Sequence, residues 1–262
     1  MSEEHLDGRY RIARAPEVVS KLNDRIYGRY AEVPPHHPVP ATPADLLRGR
    51  SPVFRTRFAP LLPAKKDAAI LDLGCGYGEF VHFLQAQGFT NVTGIDLNQS
   101  QVKAGRSLGV SNIRCAEACE FLASSPACFD FISALDVLEH VPKPETLEFL
   151  DLVYGALKPG GPFLCQVPNL AAFYTPLFYM DFSHETPYTA SSLKQVLELA
   201  NFARVRVYPM GPVAHGLRSG VRVVLWKVAA AGLRVLQTIE GGPRDPLSSI
   251  FTAAIFAVAE KP

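Results

Sequence analysis

The sequence predicts a doubly wound α/β fold, and three observations predict it. From residue 69 onward, apolar runs of strand length alternate with stretches of helical periodicity, the pattern left by a parallel sheet covered by helices on both faces. A glycine-rich turn, Gly74, Gly76 and Gly78, stands directly after the first of those runs, where a strand would feed a helix. The 262 residues suffice for one large α/β domain with an elaborated edge and are too few for two domains of full size.

Each element follows from its own pattern. Strands are expected at 69–73 (AILDL), 92–96 (VTGID), 112–116 (NIRCA), 129–134 (FDFISA), 161–167 (GPFLCQV), 203–208 (ARVRVY) and 250–259 (IFTAAIFAVA). Helical periodicity covers about 78–88, 98–108, 117–124, 145–157 and 190–201. Thr189 and Ser191 stand just before the apolar positions Leu193, Val196, Leu197 and Leu199 and supply helix-start chemistry for the last of these. Residues 1–67 read as an N-terminal extension, rich in proline, with short helices at 16–30 and 52–62; it would cap the main domain, 68–262. His36 and His37, inside PPHHPVPATP, read as solvated loop residues.

A helical insertion is expected at 209–249. Its apolar part, 221–239, carries Arg222, Lys227 and Arg234. Such a helix either lies on a membrane surface or packs against the sheet edge between the last two strands, the commoner outcome in globular folds.

Composition narrows the function classes. A hydrophobic fraction of 48% with 19% charged residues is that of an ordinary packed protein. Lys plus Arg number 26 against 25 for Asp plus Glu, so the broad basic footprint of a nucleic-acid binder is missing and no nucleic-acid partner is expected. Cys75, Cys115, Cys119, Cys128 and Cys165 are odd in number and none has CxxC spacing, which argues against a disulfide framework or structural zinc and for a reducing compartment. A charged N-terminus without an apolar run does not read as a secretory signal, and no segment is apolar for long enough to cross a bilayer. A cytoplasmic protein is expected.

The strongest local signal is AILDLGCGYGEF at 69–80, a strand ending in Asp72, a Gly-x-Gly-x-Gly turn and a helix start. Glycines let backbone amides approach a ligand closely, and a turn of this kind also serves dinucleotide binding. The segment resembles motif I of class I S-adenosylmethionine-dependent methyltransferases, and further strings agree: VTGIDLN at 92–98, FDFISALDVLEHV at 129–141 and LKPGG at 157–161. Over 69–208 the resemblance implies a mostly parallel seven-stranded sheet, the late strand being the inserted antiparallel one. It implies S-adenosylmethionine as cofactor, with Asp72 positioning its methionine end, and Gly74, Cys75, Gly76 and Gly78 passing under its sugar. Asp96 and the adjoining Leu97 would sit at the ribose, with the Asp96 carboxylate accepting from both hydroxyls. Glu117, followed by Ala118, would stand at the adenine, and Leu135 is a further expected cofactor-binding residue. Asp72 could otherwise cap the turn and Asp96 could cap the helix at 98–108. Arg55 or Arg57 stands where some relatives place an arginine against the cofactor carboxylate.

Reacting groups in such sheets gather at the carboxyl ends of the strands. Asp136, Glu139 and His140 follow the fourth strand in D-x-x-E-H order, and Asp181, His184 and Glu185 lie in YMDFSHETPYT. His140 or His184 is expected as general base toward an acceptor hydroxyl. The same clusters resemble the metal-binding arrangement of some O-methyltransferases, which implies Mg²⁺ or Mn²⁺ held by Asp136, Glu139, His140 and His184, lowering the hydroxyl's pKa. GYGEF, LDVLEHV, PN at 168–169 and DFSHETPYT together resemble bacterial O-methyltransferases of cell-surface polysaccharide biosynthesis. This makes a sugar hydroxyl of a polysaccharide or glycolipid the expected acceptor, and a quinone-like or other small hydroxylated metabolite the alternative. Phe173, Tyr174, Phe178, Tyr179 and Phe182 would line the acceptor pocket or pack in the core. An NAD-dependent oxidoreductase and a non-catalytic cofactor-binding protein are the readings from other classes.

Overall fold

The computed structural model describes residues 40–47, 49–173, 177–242 and 245–262; the expected helix at 16–30, His36, His37 and Tyr174 lie outside them. Seven strands, β1 (Ile70–Leu73), β2 (Val92–Asp96), β3 (Ile113–Cys115), β4 (Phe131–Leu135), β5 (Pro162–Pro168), β6 (Ala203–Pro209) and β7 (Ala254–Glu260), form one sheet in the order β3-β2-β1-β4-β5-β7-β6. Every pairing is parallel except the two made by β7. The chain leaves β1 outward to β2 and β3, then returns to place β4 on the other side of β1. The carboxyl ends of β1 and β4 therefore flank a topological switch point, where such sheets bind ligands.

Among the described residues, six α-helices of more than one turn accompany the sheet: α1 (Glu79–Ala86), α2 (Gln99–Ser107), α3 (Ala118–Ala123), α4 (Thr146–Ala156), α5 (Ala190–Leu199) and α6 (Leu217–Gly241). Alternate strand residues point to opposite faces. Leu71, Leu73, Ile132, Phe163 and Ile255 join a core with Leu150 and Val153 of α4 and Leu193 of α5. Ile70, Phe131, Leu164 and Phe256 join another with Val81 and Leu84 of α1 and Val102 of α2. Both faces being covered is why the central strands read as unbroken apolar runs. The expected start of α5 holds: Thr189 Oγ1 accepts from the Ser192 amide at 3.2 Å.

Residues 51–61 are helical as expected but not regular. An α turn at Ser51–Val53, a π turn at Phe54–Phe58 and a 3₁₀ turn at Ala59–Leu61 succeed one another. Pro60 has no amide to continue an α-helical ladder. The distorted segment is held by its aromatic side chains, with Phe54 at 5.2 Å from Phe80 and Phe58 at 5.4 Å from Phe256 between ring centroids.

Two expectations need correction. The last strand begins at Ala254 and not at residue 250, because Asn169 captures the preceding loop. Its Nδ2 donates to the carbonyls of Ile250 (2.8 Å) and Thr252 (2.9 Å), and its amide donates to Ala253 O. The helix expected at 221–239 spans 217–241, and it is not a core helix against the sheet edge. Its inner stripe, Ser219, Val223, Trp226, Ala230, Leu233 and Gln237, is buried or half-buried, yet only Ser219 and Ala230 are fully covered. A second apolar stripe faces solvent. No described helix is long and apolar enough to cross a membrane.

Candidate active site

The turn after β1 is shaped by what its glycines make room for. Gly74 lies at φ +62°, and a Cβ there would stand 2.4 Å from Val137 Cγ2 on the loop after β4. Gly76, at φ +55°, donates its amide to Asp96 Oδ2 at 2.8 Å. The Asn98 amide donates to Asp96 Oδ1 at 2.7 Å. Asp96 thus ties the glycine turn to the start of α2, and each carboxylate oxygen keeps a lone pair for another donor. Burial pushes the Asp96 carboxyl above its usual range, while the two amides pull the other way. The N-cap of α2 is Asn98, whose Oδ1 accepts from Gln101 N at 3.0 Å.

A cleft of about 290 Å³ opens beside this turn. Of the residues the resemblance assigns to the cofactor, Gly74, Gly76, Asp96, Leu97, Glu117 and Ala118 line it. Asn98, Gln101 and Val137 share the wall, and so do Asp136 and His140 from the acceptor side. Asp72, Cys75, Gly78 and Leu135 do not line it. Asp72 is buried beneath the turn, where it accepts from Ser133 Oγ at 2.7 Å; burial pushes its carboxyl up to about 7, against the lowering effect of Ser133. The Cys75 side chain is buried in the α1 and α2 core, where desolvation raises its thiol far above the usual range. Gly78 is a packing glycine: a Cβ would meet Val110 Cγ1 at 2.7 Å. Leu135 packs on that same core. Glu117 is the N-cap of α3, its Oε2 accepting from the Glu120 amide at 2.7 Å.

Neither Arg55 nor Arg57 reaches the cleft wall. The cation brought to the glycine turn is Arg50, 3.1 Å from Glu79 Oε2. Nothing in the local sequence singles it out, since its partner lies across the chain. Ser133 and Gln166 are likewise visible only once β1, β4 and β5 are aligned.

On the other wall, Asp136 occupies the left-handed region at φ +59°. Its amide donates to Gln166 O, and its Oδ1 accepts from Gln166 Nε2 at 2.7 Å. The expected fourth metal ligand is therefore turned toward β5. Glu139, His140 and His184 do come together, with one ligand atom from each lying within 4.8 Å of the others. Glu139 is 0% exposed, and among the described residues neither carboxylate oxygen has a hydrogen-bond partner. Burial, with the Asp136 charge second, raises its pKa well above the usual range. His184 Nε2 is 3.9 Å from Glu139 Oε1, too far for a hydrogen bond.

Hydrogen bonds from neighbouring groups fix both rings. His184 Nδ1 donates to Phe178 O at 2.7 Å, which leaves the lone pair of the neutral ring on Nε2. Ser183 Oγ donates to Asp181 Oδ1 at 2.6 Å and lies 3.0 Å from His140 Nδ1. With the hydroxyl proton committed to Asp181, Oγ accepts from His140 Nδ1–H, so the His140 lone pair is also on Nε2. Burial, then the neighbouring His184, lowers the His140 pKa and favours the neutral ring. Asp181 thus serves as a support, and Glu185 contributes its amide, donated to Glu139 O at 2.7 Å. Among the described aromatic residues nearby, Phe173, Tyr179 and Phe182 are exposed and Phe178 is half-buried against the His184 ring, so core packing does not account for them.

A family model described as a methyltransferase domain matches residues 47–207. A ubiquinone biosynthesis O-methyltransferase of Xylella fastidiosa (strain 9a5c) is 35% identical over 141 residues, covering 51% of this chain and 56% of that protein. A 24-methylenesterol C-methyltransferase 2 of Oryza sativa subsp. japonica is 33% identical over 132 residues, 48% of this chain and 36% of that protein. The chain spans about half or less of the length of these relatives. A SAM-dependent methyltransferase structure from Archaeoglobus fulgidus superposes with a TM-score of 0.58 at 23% identity, covering 82% of this chain and 96% of that one, a likeness of fold. With the methyltransferase-domain model matched over more than half its length and the sheet order described above, the chain belongs to the class I S-adenosylmethionine-dependent methyltransferase family.

Proposed function

We propose that the protein transfers a methyl group from S-adenosylmethionine to a hydroxyl oxygen of a small acceptor. The observation that carries this reading is that one cleft has the glycine turn and Asp96 on one wall and His140 on the other. The residues fit the cofactor. Asp96 keeps two lone pairs for two ribose hydroxyls, the open Cα of Gly74 lets the ligand approach the backbone, and Glu117 and Ala118 are the residues for the adenine. Asp72, beneath the turn, would support the methionine end, where a bound ammonium would favour the ionised carboxylate.

When bound, the cofactor supplies an electrophilic methyl carbon on a sulfonium. His140 Nε2 would take the acceptor hydroxyl's proton as that oxygen takes the methyl, with the sulfonium sulfur as the leaving group. Most of the acceleration comes from holding oxygen and methyl in line. His184, set by Phe178 and packed on His140 with ring centroids 4.7 Å apart, acts by positioning.

The acceptor read from the sequence is a sugar hydroxyl. The exposed rings of Tyr179, packed edge-on against the Phe178 that meets His184, and of Phe182, two residues from His184, favour the alternative, a hydroxylated aromatic or quinone-like molecule, and the oxygen-methylating relative points the same way. One observation favours a divalent cation as well: a buried Glu139 with no hydrogen-bond partner among the described residues faces two imidazoles whose lone pairs are on Nε2. Glu139, His140 and His184 would hold such an ion, which would lower the acceptor hydroxyl's pKa; His140 Nε2 would then ligate the ion instead of taking the proton. Metal analysis and transfer rates with and without chelator test that part.

Calorimetric titration with S-adenosylmethionine, S-adenosylhomocysteine and NAD tests the main reading, followed by labelled methyl transfer to catechol-like and saccharide acceptors. Both sulfur compounds should bind and NAD should not. Binding of NAD alone would sink the proposal.

A further inference from the structure

The outer face of α6 is apolar and, among the described residues, uncovered. Leu217, Val221, Val224, Val228, Val235 and Ile239 recur at helical spacing on the side opposite the half-buried stripe, and all are more than half exposed, Leu217 and Ile239 at 88% and 76%. At 25 residues the helix presents this stripe over about 37 Å. Arg218 and Arg222 flank it on one side, Lys227 and Arg234 on the other, and the first acid of the helix is Glu240 in its last turn. The whole chain carries a net charge of only +1, whereas this helix alone sets four cations against one acid.

We propose that α6 docks in the plane of an anionic lipid surface, with the apolar stripe entering the acyl boundary and the four cations meeting the headgroups. An interfacial helix combines these features: an apolar face, flanking Lys or Arg, and too much charge to span the bilayer. A second copy of the chain fits less well. Pairing two such faces would bring Arg218, Arg222, Lys227 and Arg234 against their equivalents, with no acid on the helix before Glu240 to answer them. The docking surface is separate from the cofactor cleft, whose lining includes no residue of α6.

Co-sedimentation of the full chain with vesicles of phosphatidylcholine, alone or mixed equally with phosphatidylglycerol, tests this. The wild type should pellet with the mixed vesicles and be released by high salt. The double variant V224D/V228D changes only exposed positions, and circular dichroism checks its fold; it should stay in solution. Each cation near an anionic surface raises partition about five-fold, so K227Q/R234Q should bind roughly 30-fold more weakly. A wild type that ignores the mixed vesicles, or variants that pellet as it does, would overturn the proposal. So would a wild-type dimer in velocity sedimentation that V224D/V228D makes monomeric without any vesicle binding; that outcome assigns the face to a second copy.

Discussion

The two walls of the cleft are built by different means. The glycine wall is local: residues 74–78 and 96–98 supply backbone amides and one carboxylate, and the ends of two neighbouring parallel strands bring them together. The histidine wall is assembled from afar. His140 is oriented by Ser183, 43 residues away, and Asp136 by Gln166, 30 residues away. One wall is specified by a motif and the other by the completed fold, so the first serves any class I methyltransferase and the second can be retuned to a particular acceptor. The O- and C-methylating relatives, both similar to about half of this chain, fit such a division.

If the walls are functionally separate, their mutants should separate too. His140→Ala is expected to lower single-turnover transfer by about 10²–10⁴-fold, the usual worth of a general base, while cofactor affinity stays near wild type. A matching loss of cofactor binding, read by calorimetry, would mean that His140 belongs to both walls. Asp96→Ala should do the reverse, costing about 2–3 kcal/mol of cofactor affinity. Part of that loss comes from releasing the Gly76 and Asn98 amides. Asp96→Asn, which retains one acceptor for those amides, should lose less.

How much of this was legible follows the same divide. The strand runs, the glycine turn and the D-x-x-E-H spacing are local, and the sequence places them within a residue or two. The last strand was overread by four residues because an apolar run says nothing about Asn169, which draws off the carbonyls of that run. α6 was legible as an apolar helix, but periodicity does not say which of two apolar stripes a neighbour covers. Spacing groups Asp136 with the metal-ligand candidates but takes no account of its left-handed backbone, which turns Oδ1 to Gln166 and leaves Glu139, His140 and His184 as the cluster. Arg50 had no local signal, since Glu79 reaches it only across the folded chain.

Asp72 links the walls, since it lies under the glycine turn yet leans on Ser133 of β4. Its carboxyl is displaced from 3.8 to about 7. Between those values the folded state holds a proton that the unfolded chain has lost, so apo stability falls as pH rises through that window and stays low above it. Asp72→Asn removes the titration. It should be less stable than the wild type near pH 4, by about 2 kcal/mol, because the new buried amide has unmet hydrogen bonds of its own, and should gain on the wild type by roughly 3–4 kcal/mol as pH rises to 8. It should also weaken cofactor binding. Parallel pH–stability curves for the two proteins would show that the Asp72 charge is not disfavoured in the fold.

The smallest effect expected is the most discriminating for the histidine wall. Asp136 lines the cleft, carries a charge and holds a left-handed backbone through Gln166. Asn tolerates that conformation at least as well as Asp and keeps an oxygen to accept from Gln166 Nε2. If Asp136 serves to shape the loop, Asp136→Asn should leave transfer within about three-fold of wild type, and Gln166→Ala, which removes the tether and leaves the charge, should cost more. The opposite ranking in kcat/KM would mean that the carboxylate charge itself faces the acceptor or cofactor. The histidine wall would then carry two groups that act on the reaction, with the fold doing less of the positioning.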